Sequence, residues 1–140
     1  MEQDRMLFLV DEARKCLPFA YAPYSRFHVA AALLCGDGMV YTGCNVENAS
    51  YPAGCCAERT AFFKAVSEGK RSFAAIAIVG GRDGDDAGYC PPCGICRQVM
   101  REFADPETFQ VILAARGKPV RCFSLAELLP ESFGPERLSP

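Results

Sequence analysis

The chain has 140 residues, half of them hydrophobic, with 15 Lys and Arg against 17 Asp and Glu. This length supports one domain with a substantial core and is too short for two ordinary ones, so we expect a single domain over residues 1–140. The slight acidic excess argues against a surface that follows nucleic-acid phosphates, and the apolar stretch 6–10 is too short for a signal or membrane segment. We therefore expect a soluble cytoplasmic protein with neither polymeric nucleic acid nor a membrane as its partner.

The first part of the chain predicts a helix followed by a β-hairpin. Apolar residues recur at helical spacing from Met6 to Leu17, and Pro18 ends this pattern. The stretch 27–35 is almost continuously apolar, and turn-forming glycines separate it from a second strand-like stretch, 39–44. Two such stretches around a short glycine-containing turn are typical of a hairpin.

The central part predicts a helix, a strand and a long loop. The helix spans 56–68 and is closed by Gly69. Its expected core residues are Phe62, Phe63 and Val66. The run 73–79 lacks alternation and therefore predicts a buried strand, and the stretch 82–92, which contains Gly, Asp and Pro, is the longest predicted loop.

The last part predicts a helix, two strands and a short closing helix. The first of these helices has an apolar face formed by Ile95, Val99, Met100 and Phe103. Strands follow over 109–115 and 120–123, and the capping-box spacing of Ser124 and Glu127 predicts a short helix ended by Pro130. This order of elements predicts an α/β fold with right-handed crossovers, partly parallel strands and helices covering the sheet.

Nine cysteines are an odd number in a chain without a recognisable secretory signal, which favours thiols and metal ligands over a disulfide framework. Four lie in predicted helices or strands and are interpreted as small buried hydrophobic residues: Cys16, Cys35, Cys44 and Cys122. Cys55 and Cys90 each neighbour a motif. A fourth protein ligand would close a metal site, so we interpret both as bystanders.

Two short motifs, each at the start of a predicted helix, carry the chemistry. Cys56 and Glu58 open the first helix, and Cys93 and Cys96 open the second. Three thiolates on a tetrahedral zinc leave the fourth position open for water, which distinguishes a catalytic zinc from a closed structural one. Glu58 follows a ligand closely enough to act as a proton shuttle without binding the metal. Helix N-termini also stabilise thiolates.

Cys93 and Cys96 alone are compatible with other kinds of site. The same spacing occurs in thioredoxin-like redox sites and in structural zinc knuckles. A redox pair is expected directly after a strand, whereas a long loop precedes this one, and a redox site leaves the first motif unexplained. A structural zinc would need Cys55, Cys90 or His28 as a fourth ligand. His28 lies in an apolar strand-like run, where a lone histidine is more often packed or hydrogen-bonded than a ligand.

Four segments, 24–27, 43–51, 56–61 and 92–98, carry a resemblance to a known family. In this order they resemble the small homotetrameric zinc-dependent cytidine deaminases. The resemblance implies a three-layer α/β/α cytidine-deaminase-like fold with a mixed, mostly five-stranded sheet. It also implies hydrolytic deamination of cytidine and deoxycytidine to uridine and deoxyuridine with release of ammonia, as in pyrimidine salvage, and one Zn²⁺ per chain.

The metal and catalytic residues follow from this resemblance. Cys56, Cys93 and Cys96 match the zinc ligands, and Glu58 matches the catalytic acid and base. Arg59 matches an arginine that donates to a ligand sulfur. Three thiolates on a dication leave a net negative charge, and a guanidinium beside the sulfur withdraws part of it.

Substrate-binding residues are also implied by the resemblance. Phe27 matches the aromatic residue that packs against the base, and the backbone amide of Ala57 matches one that contacts the base. Asn45 and Glu47 match the pair that hydrogen-bonds the ribose, for which an amide and a carboxylate are suitable partners.

The resemblance further implies a homotetramer with shared active sites. Tyr51 and Phe133 match positions that approach the active site of a neighbouring subunit. A chain of this size offers few walls to enclose a nucleoside, and an aromatic residue in a polar C-terminal tail needs a surface on which to bury.

Alternative functions remain at this point. A deaminase of a modified nucleoside or nucleoside antibiotic would share these motifs, because one sequence does not define the shape of the pocket. A zinc-stabilised binding module without catalysis would not need Glu58. RNA- or DNA-editing deaminases usually present histidine as the first ligand and need a basic surface, and neither is visible here.

Overall fold

The computed structural model describes residues 1–139, in which one five-stranded sheet is flanked by helices. The elements in chain order are α1 (Gln3–Cys16), β1 (Phe27–Cys35), β2 (Val40–Cys44), α2 (Ala57–Ser67), β3 (Phe73–Arg82), α3 (Gly94–Phe103), β4 (Gln110–Leu113), β5 (Arg121–Ser124) and α4 (Leu125–Leu128). Short 3₁₀ helices lie at Leu17–Phe19, Tyr51–Ala53 and Pro135–Arg137. Within these residues, no helix is both long and apolar enough to span a membrane.

The sheet is mixed, with the strand order β2-β1-β3-β4-β5. β1 pairs antiparallel with both β2 and β3, β3 pairs parallel with β4, and β4 pairs antiparallel with β5. The parallel pair is connected through α3, as a parallel connection requires. This arrangement confirms the predicted α/β class and its mixed five-stranded sheet.

Side chains alternate between the two faces of the sheet, and each face has its own core. Helix α1 covers one face with Leu9, Val10 and Ala13, which pack against even-numbered residues of β1. Helices α2, α3 and α4 cover the other face, where Phe62 and Met100 are fully buried. The two helix layers on one sheet give the three-layer architecture.

β3 extends three residues beyond the predicted end of its strand. Gly80 and Gly81 continue the ladder with β1, opposite Val29 and His28. An added Cβ at Gly81 would lie 1.8 Å from the carbonyl oxygen of Asp85. The glycine therefore allows the following loop to turn directly over the strand end.

Three predicted burials are wrong. Phe63 is 47% exposed and Ile95 is 63% exposed, because each points away from the sheet while its helix packs through neighbouring residues. Cys122 is exposed because β5 forms one edge of the sheet. Of the other cysteines interpreted as buried, Cys35 is buried, whereas Cys16 and Cys44 are half-buried.

The predicted capping box at α4 is present. The Ser124 hydroxyl accepts a hydrogen bond from the backbone N–H of Glu127 at 3.1 Å. The Glu127 carboxylate accepts one from the backbone N–H of Ser124 at 2.8 Å. Each side chain thus satisfies a backbone donor that the helix leaves without a partner.

Candidate active site

The first motif forms the start of α2, which rests directly on the sheet. Cys56 is the N-cap residue, and Ala57 and Glu58 occupy the first turn in the core. An added Cβ at Gly43 of β2 would lie 2.6 Å from both the carbonyl oxygen of Ala57 and the backbone nitrogen of Ala61. Only a residue without a side chain lets this helix start come so close to the strand.

The second motif forms the start of α3 and arrives on the long loop after β3. Cys93 is the N-cap residue and is exposed, whereas Cys96, in the first turn, is buried. Arg97 fixes this start from the next position in the helix. Its Nε donates to the carbonyl oxygen of Pro92 at 2.8 Å, and its Nη1 donates to that of Leu128 at 2.6 Å.

The two helix starts bring three thiols together. The sulfur atoms of Cys56, Cys93 and Cys96 all lie within 4.8 Å of one another, and those of Cys56 and Cys93 are 3.8 Å apart. Thiolates bound at about 2.3 Å to a tetrahedral zinc are themselves separated by roughly 3.8 Å. The donor set and its spacing therefore fit zinc, with three protein ligands. Within the described residues, Cys55, Cys90 and His28 are not part of this cluster.

Hydrogen bonds and charge favour a thiolate at Cys56. The pKa of Cys56 is lowered to about 5, first by a hydrogen bond from Cys96 and then by one from Arg59. Arg59 Nη2 donates to Cys56 Sγ at 3.3 Å. By contrast, burial raises the pKa of Cys90 to about 12, so that this thiol stays protonated near neutral pH.

Glu58 is buried in the core beside the thiol cluster. It is only 4% exposed, and burial raises its pKa to about 7. A carboxyl group in apolar surroundings resists ionisation because the charged form loses its hydration. Perturbed carboxyl groups of this kind concentrate at functional sites.

An open pocket of about 410 Å³ is lined in part by Cys56 and Arg59. This volume is in the range of small-molecule sites. The remaining wall is formed by Tyr24, Ser25, Asn45, Val46, Glu47, Asn48, Tyr51, Gly54 and Cys55. Three of the predicted substrate-binding residues, Asn45, Glu47 and Tyr51, thus share one cavity with a predicted zinc ligand.

In this structure Asn45 hydrogen-bonds the backbone of β1. Its Nδ2 donates to the carbonyl oxygen of Phe27 at 2.8 Å, and its Oδ1 accepts from the backbone nitrogen of Val29 at 2.9 Å. The side chain therefore ties the end of β2 to the start of β1. One amide hydrogen and one lone pair remain for a ligand.

Glu47 binds the turn before β1 in a similar way. Its Oε1 accepts from the backbone nitrogens of Tyr24 at 3.0 Å and Ser25 at 3.1 Å. The Ser25 hydroxyl donates to Oε2, and this hydrogen bond is the largest cause of the lowered pKa of Glu47. The carboxylate is thus held ionised and in place, with acceptor positions left over.

The predicted substrate-binding residues divide between the pocket wall, which includes Tyr51, and positions outside it. Tyr51 is 75% exposed, and its ring centroid is 6.0 Å from that of Tyr24. In the part of the chain that the structure describes, Phe27, Ala57 and Phe133 do not belong to the pocket wall. Phe27 is exposed at the start of β1, Ala57 is fully buried, and Phe133 is 58% exposed.

The sequence did not single out Tyr24 and Ser25 as site residues. Both lie in segment 24–27, which carries part of the family resemblance, but their turn-forming character by itself usually marks a surface loop. Their contribution depends on Glu47, 22 positions beyond Ser25, whose carboxylate fixes the turn against the pocket.

Comparison with known proteins places this site in a family. Residues 3–112 match the "Cytidine and deoxycytidylate deaminase zinc-binding region". The chain belongs to this family. It is 48% identical over 131 residues to the cytidine deaminase of Sporosarcina psychrophila, covering 94% of this chain and 93% of that protein. It is 47% identical to the cytidine deaminase of Halalkalibacterium halodurans, covering 97% of this chain and 98% of that protein.

Solved structures of cytidine deaminases share the fold of this family member. The cytidine deaminase of Burkholderia pseudomallei superimposes with a TM-score of 0.83 at 47% identity, covering 95% of this chain and 100% of that chain. The cytidine deaminase of Mycobacterium tuberculosis superimposes with a TM-score of 0.77 at 41% identity, covering 91% of this chain and 96% of that chain. The predicted family and fold are confirmed, and so is the zinc cofactor, by the family match together with the three-thiol cluster.

Proposed function

We propose that this protein hydrolyses cytidine and deoxycytidine to uridine and deoxyuridine, with release of ammonia, in the cytoplasmic salvage of pyrimidines. The observation that carries the proposal is a pocket of about 410 Å³ whose wall includes Cys56 of the three-thiol cluster, with a buried Glu58 at the same helix start. Relatives at 47–48% identity are cytidine deaminases. Residues 1–140 act as one deaminase domain, and its nine free cysteines suit a reducing compartment.

Cys56, Cys93 and Cys96 would hold the zinc. Zinc bound there supplies Lewis-acid chemistry that makes hydroxide available at neutral pH. Glu58 would take one proton from the attacking water and pass it to N3 of the cytosine ring while the C4–O bond forms. It would then take the second proton from the new C4 hydroxyl and give it to the 4-amino group, so that the C4–N bond breaks and ammonia leaves. Arg59 donates to Cys56 Sγ and offsets part of the negative charge of the thiolates.

The remaining pocket residues orient the nucleoside. Glu47 accepts from a ribose hydroxyl, and Asn45 uses its remaining amide hydrogen or lone pair for the sugar. Phe27 packs against the base, and the Ala57 backbone amide donates to it. These roles are supported by the place of Asn45 and Glu47 in the pocket wall and of Ala57 beside Cys56.

Ultraviolet absorbance assays with purified protein test the activity. Cytidine, deoxycytidine, cytosine, CMP and adenosine are offered separately, and the first two should be turned over. Turnover of cytosine or CMP alone would contradict the nucleoside assignment. Turnover of a modified nucleoside in preference to both natural ones would favour the alternative substrate class.

We also propose a homotetramer of about D₂ symmetry whose active sites are shared between subunits. Tyr51 and Phe133 support this assembly, because both are large aromatic residues left mostly exposed, and Tyr51 lies in the wall of the open pocket. Exposed aromatic side chains on a small chain are typical of surfaces that contact another protein. In the tetramer, these two rings close the pocket of a neighbouring subunit.

Mixed assembly tests the shared site. Chains with Glu58→Gln and chains with Phe133→Ala are each expected to have little activity. Co-assembled tetramers should regain activity, because some sites then combine an intact Glu58 with an intact Phe133 from another chain. Light scattering gives the mass. Full activity of a monomer, or no recovery from chains shown to have mixed, would argue against shared sites.

A further inference from the structure

The segment that carries Phe133 is held against α3, the helix whose N-terminal end carries two of the thiols. Gln98 Nε2 donates to the carbonyl oxygen of Phe133 at 2.9 Å. Arg101 Nε donates to Ser132 Oγ at 2.8 Å, and its Nη2 pairs with the carboxylate of Glu136. We term residues 132–136 the strap.

Arg101 and the strap form one packed unit. The Arg101 side chain is only 12% exposed although it is charged, and a buried charge is unfavourable unless it is paired and hydrogen-bonded. Gly134 lies directly over it, since an added Cβ there would be 2.3 Å from the guanidinium. The backbone at Gly134 is extended, with φ −134° and ψ 174°, so this glycine is required by the close contact and not by its conformation.

These polar contacts hold the backbone at Phe133 and do not involve its ring. Its backbone is fixed by Gln98, yet the side chain remains 58% exposed. An exposed ring on a fixed backbone loses little conformational entropy when it packs against another surface. Cys93 and Cys96 lie at the start of the same helix, so α3 sets the position of Phe133 within the subunit.

We propose that Gln98 and Arg101 are positioning residues that hold the strap, so that the Phe133 ring completes the nucleoside pocket of a neighbouring subunit. This inference rests on the proposed function, in which Phe133 contacts the nucleoside. Neither side chain touches the substrate. Their effect falls on nucleoside binding and not on proton transfer, because Glu58 lies on a different helix, α2, in the core.

Steady-state kinetics of the full-length, zinc-loaded protein test this role. Arg101→Met removes the donors but keeps an unbranched apolar stem, and it should raise KM for cytidine about tenfold through the lost hydrogen bonds. The value of kcat should stay within about twofold, because uniform binding is lost and not transition-state stabilisation. Zinc content should not change. Arg101→Lys keeps one donor group and should give an intermediate KM.

Matched variants separate positioning from general damage to α3. Gln98→Met removes the hydrogen bond to the Phe133 carbonyl and should also raise KM. Glu102→Gln changes an exposed residue next to Arg101 and should leave KM and kcat unchanged. Gly134→Ala displaces the guanidinium and should raise KM in the wild-type background but have little further effect on Arg101→Met.

A double-mutant cycle with Phe133→Ala distinguishes a wrong role for Phe133 from a wrong role for the strap. Arg101→Met should add no further increase in KM to Phe133→Ala, because residues that act through one another are not additive.

An unchanged KM in Phe133→Ala would overturn the proposed role of Phe133, and the strap proposal with it. A raised KM in Phe133→Ala with normal values in Arg101→Met and Gln98→Met would overturn the strap proposal alone. Loss of zinc together with kcat would show a purely structural role for Arg101. If Arg101→Met does not fold, Gln98→Met and Gly134→Ala give the same decision.

Discussion

The two helix starts that supply the thiol cluster are built in different ways. α2 begins inside the core, where Ala57 and Glu58 are buried and Gly43 of β2 touches the first turn. α3 begins at the surface, where Cys93 is exposed. Its start is fixed by hydrogen bonds from Arg97 to two carbonyl oxygens.

This difference matches what each start has to hold. In the proposed mechanism Glu58 needs dry surroundings and a fixed position, and dense packing provides both because a close-packed core cannot adjust without strain. The start of α3 follows a loop, so its position depends on a few directional hydrogen bonds. The α2 start should therefore respond to changes in volume, and the α3 start to the loss of hydrogen-bond donors.

The largest expected effect is the loss of a thiol from the α3 start. Cys93→Ala should lose both zinc and activity, because two thiolates remain of the three that the site offers. Cys90→Ala, three positions earlier, should keep about one zinc per chain and full turnover. Metal analysis and the cytidine assay measure both properties. The opposite pattern would mean that the ligand set is misassigned.

Replacing the carboxylate at the α2 start should abolish most activity without affecting the metal. Glu58→Gln is nearly isosteric and should retain zinc and fold but lose at least the roughly 10²–10⁴-fold associated with general acid–base catalysis. Zinc content, thermal unfolding and kcat are measured on the same preparation. Near-normal turnover by the zinc-loaded variant would remove Glu58 from the mechanism.

Local sequence patterns were sufficient for much of this architecture. Hydrophobic periodicity located the helices and strands, and the Ser124 and Glu127 pair defined the start of α4, because these signals depend on neighbouring residues. The three thiols could also be named from the sequence, by the two cysteine motifs at helix starts and by the family resemblance, and the structure brings their sulfur atoms together.

Contacts between distant parts of the chain could not be predicted from local sequence patterns. Gln98 and Phe133 are 35 positions apart, and no local pattern indicates their hydrogen bond. Asn45 and Glu47 were expected to face a ribose, and nothing in the sequence showed that they also bind the turn and strand before them. Phe63 and Ile95 look like core residues until the packed face of each helix is known.

A change in volume beneath α2 tests the packed helix start. Gly43→Ala places a Cβ 2.6 Å from backbone atoms of Ala57 and Ala61. Overpacking of this kind should lower the free energy of unfolding by about 1–3 kcal/mol and reduce kcat by shifting Glu58. Gly88→Ala is the matched control in the loop before α3, where an added Cβ meets nothing within 4 Å among the described residues. Equal effects of the two variants would contradict the contrast between the helix starts.

The smallest expected effect concerns a hydrogen bond of the loop that leads to Cys93. Tyr89 Oη donates to the carbonyl oxygen of Pro119 at 2.5 Å, and the Arg121 guanidinium lies 4.0 Å from its ring centroid. Tyr89→Phe keeps the ring and removes the hydroxyl, so unfolding should become easier by only about 0.5–1.5 kcal/mol. Because the loop is then less firmly held, a chelator should remove zinc faster, which a colorimetric zinc indicator follows over time.

Tyr41→Phe provides the matched control for α2, the other helix of the comparison. Tyr41 Oη donates to Glu68 Oε1 at 2.9 Å, at the far end of α2. Its loss should reduce stability by a similar amount but leave the rate of zinc removal unchanged, because the start of α2 is held by packing and not by this hydrogen bond. Equal acceleration of zinc loss in both variants would show that zinc release follows global stability. Faster loss in Tyr89→Phe alone would show that the hydrogen-bonded α3 start is the part of the site that opens first.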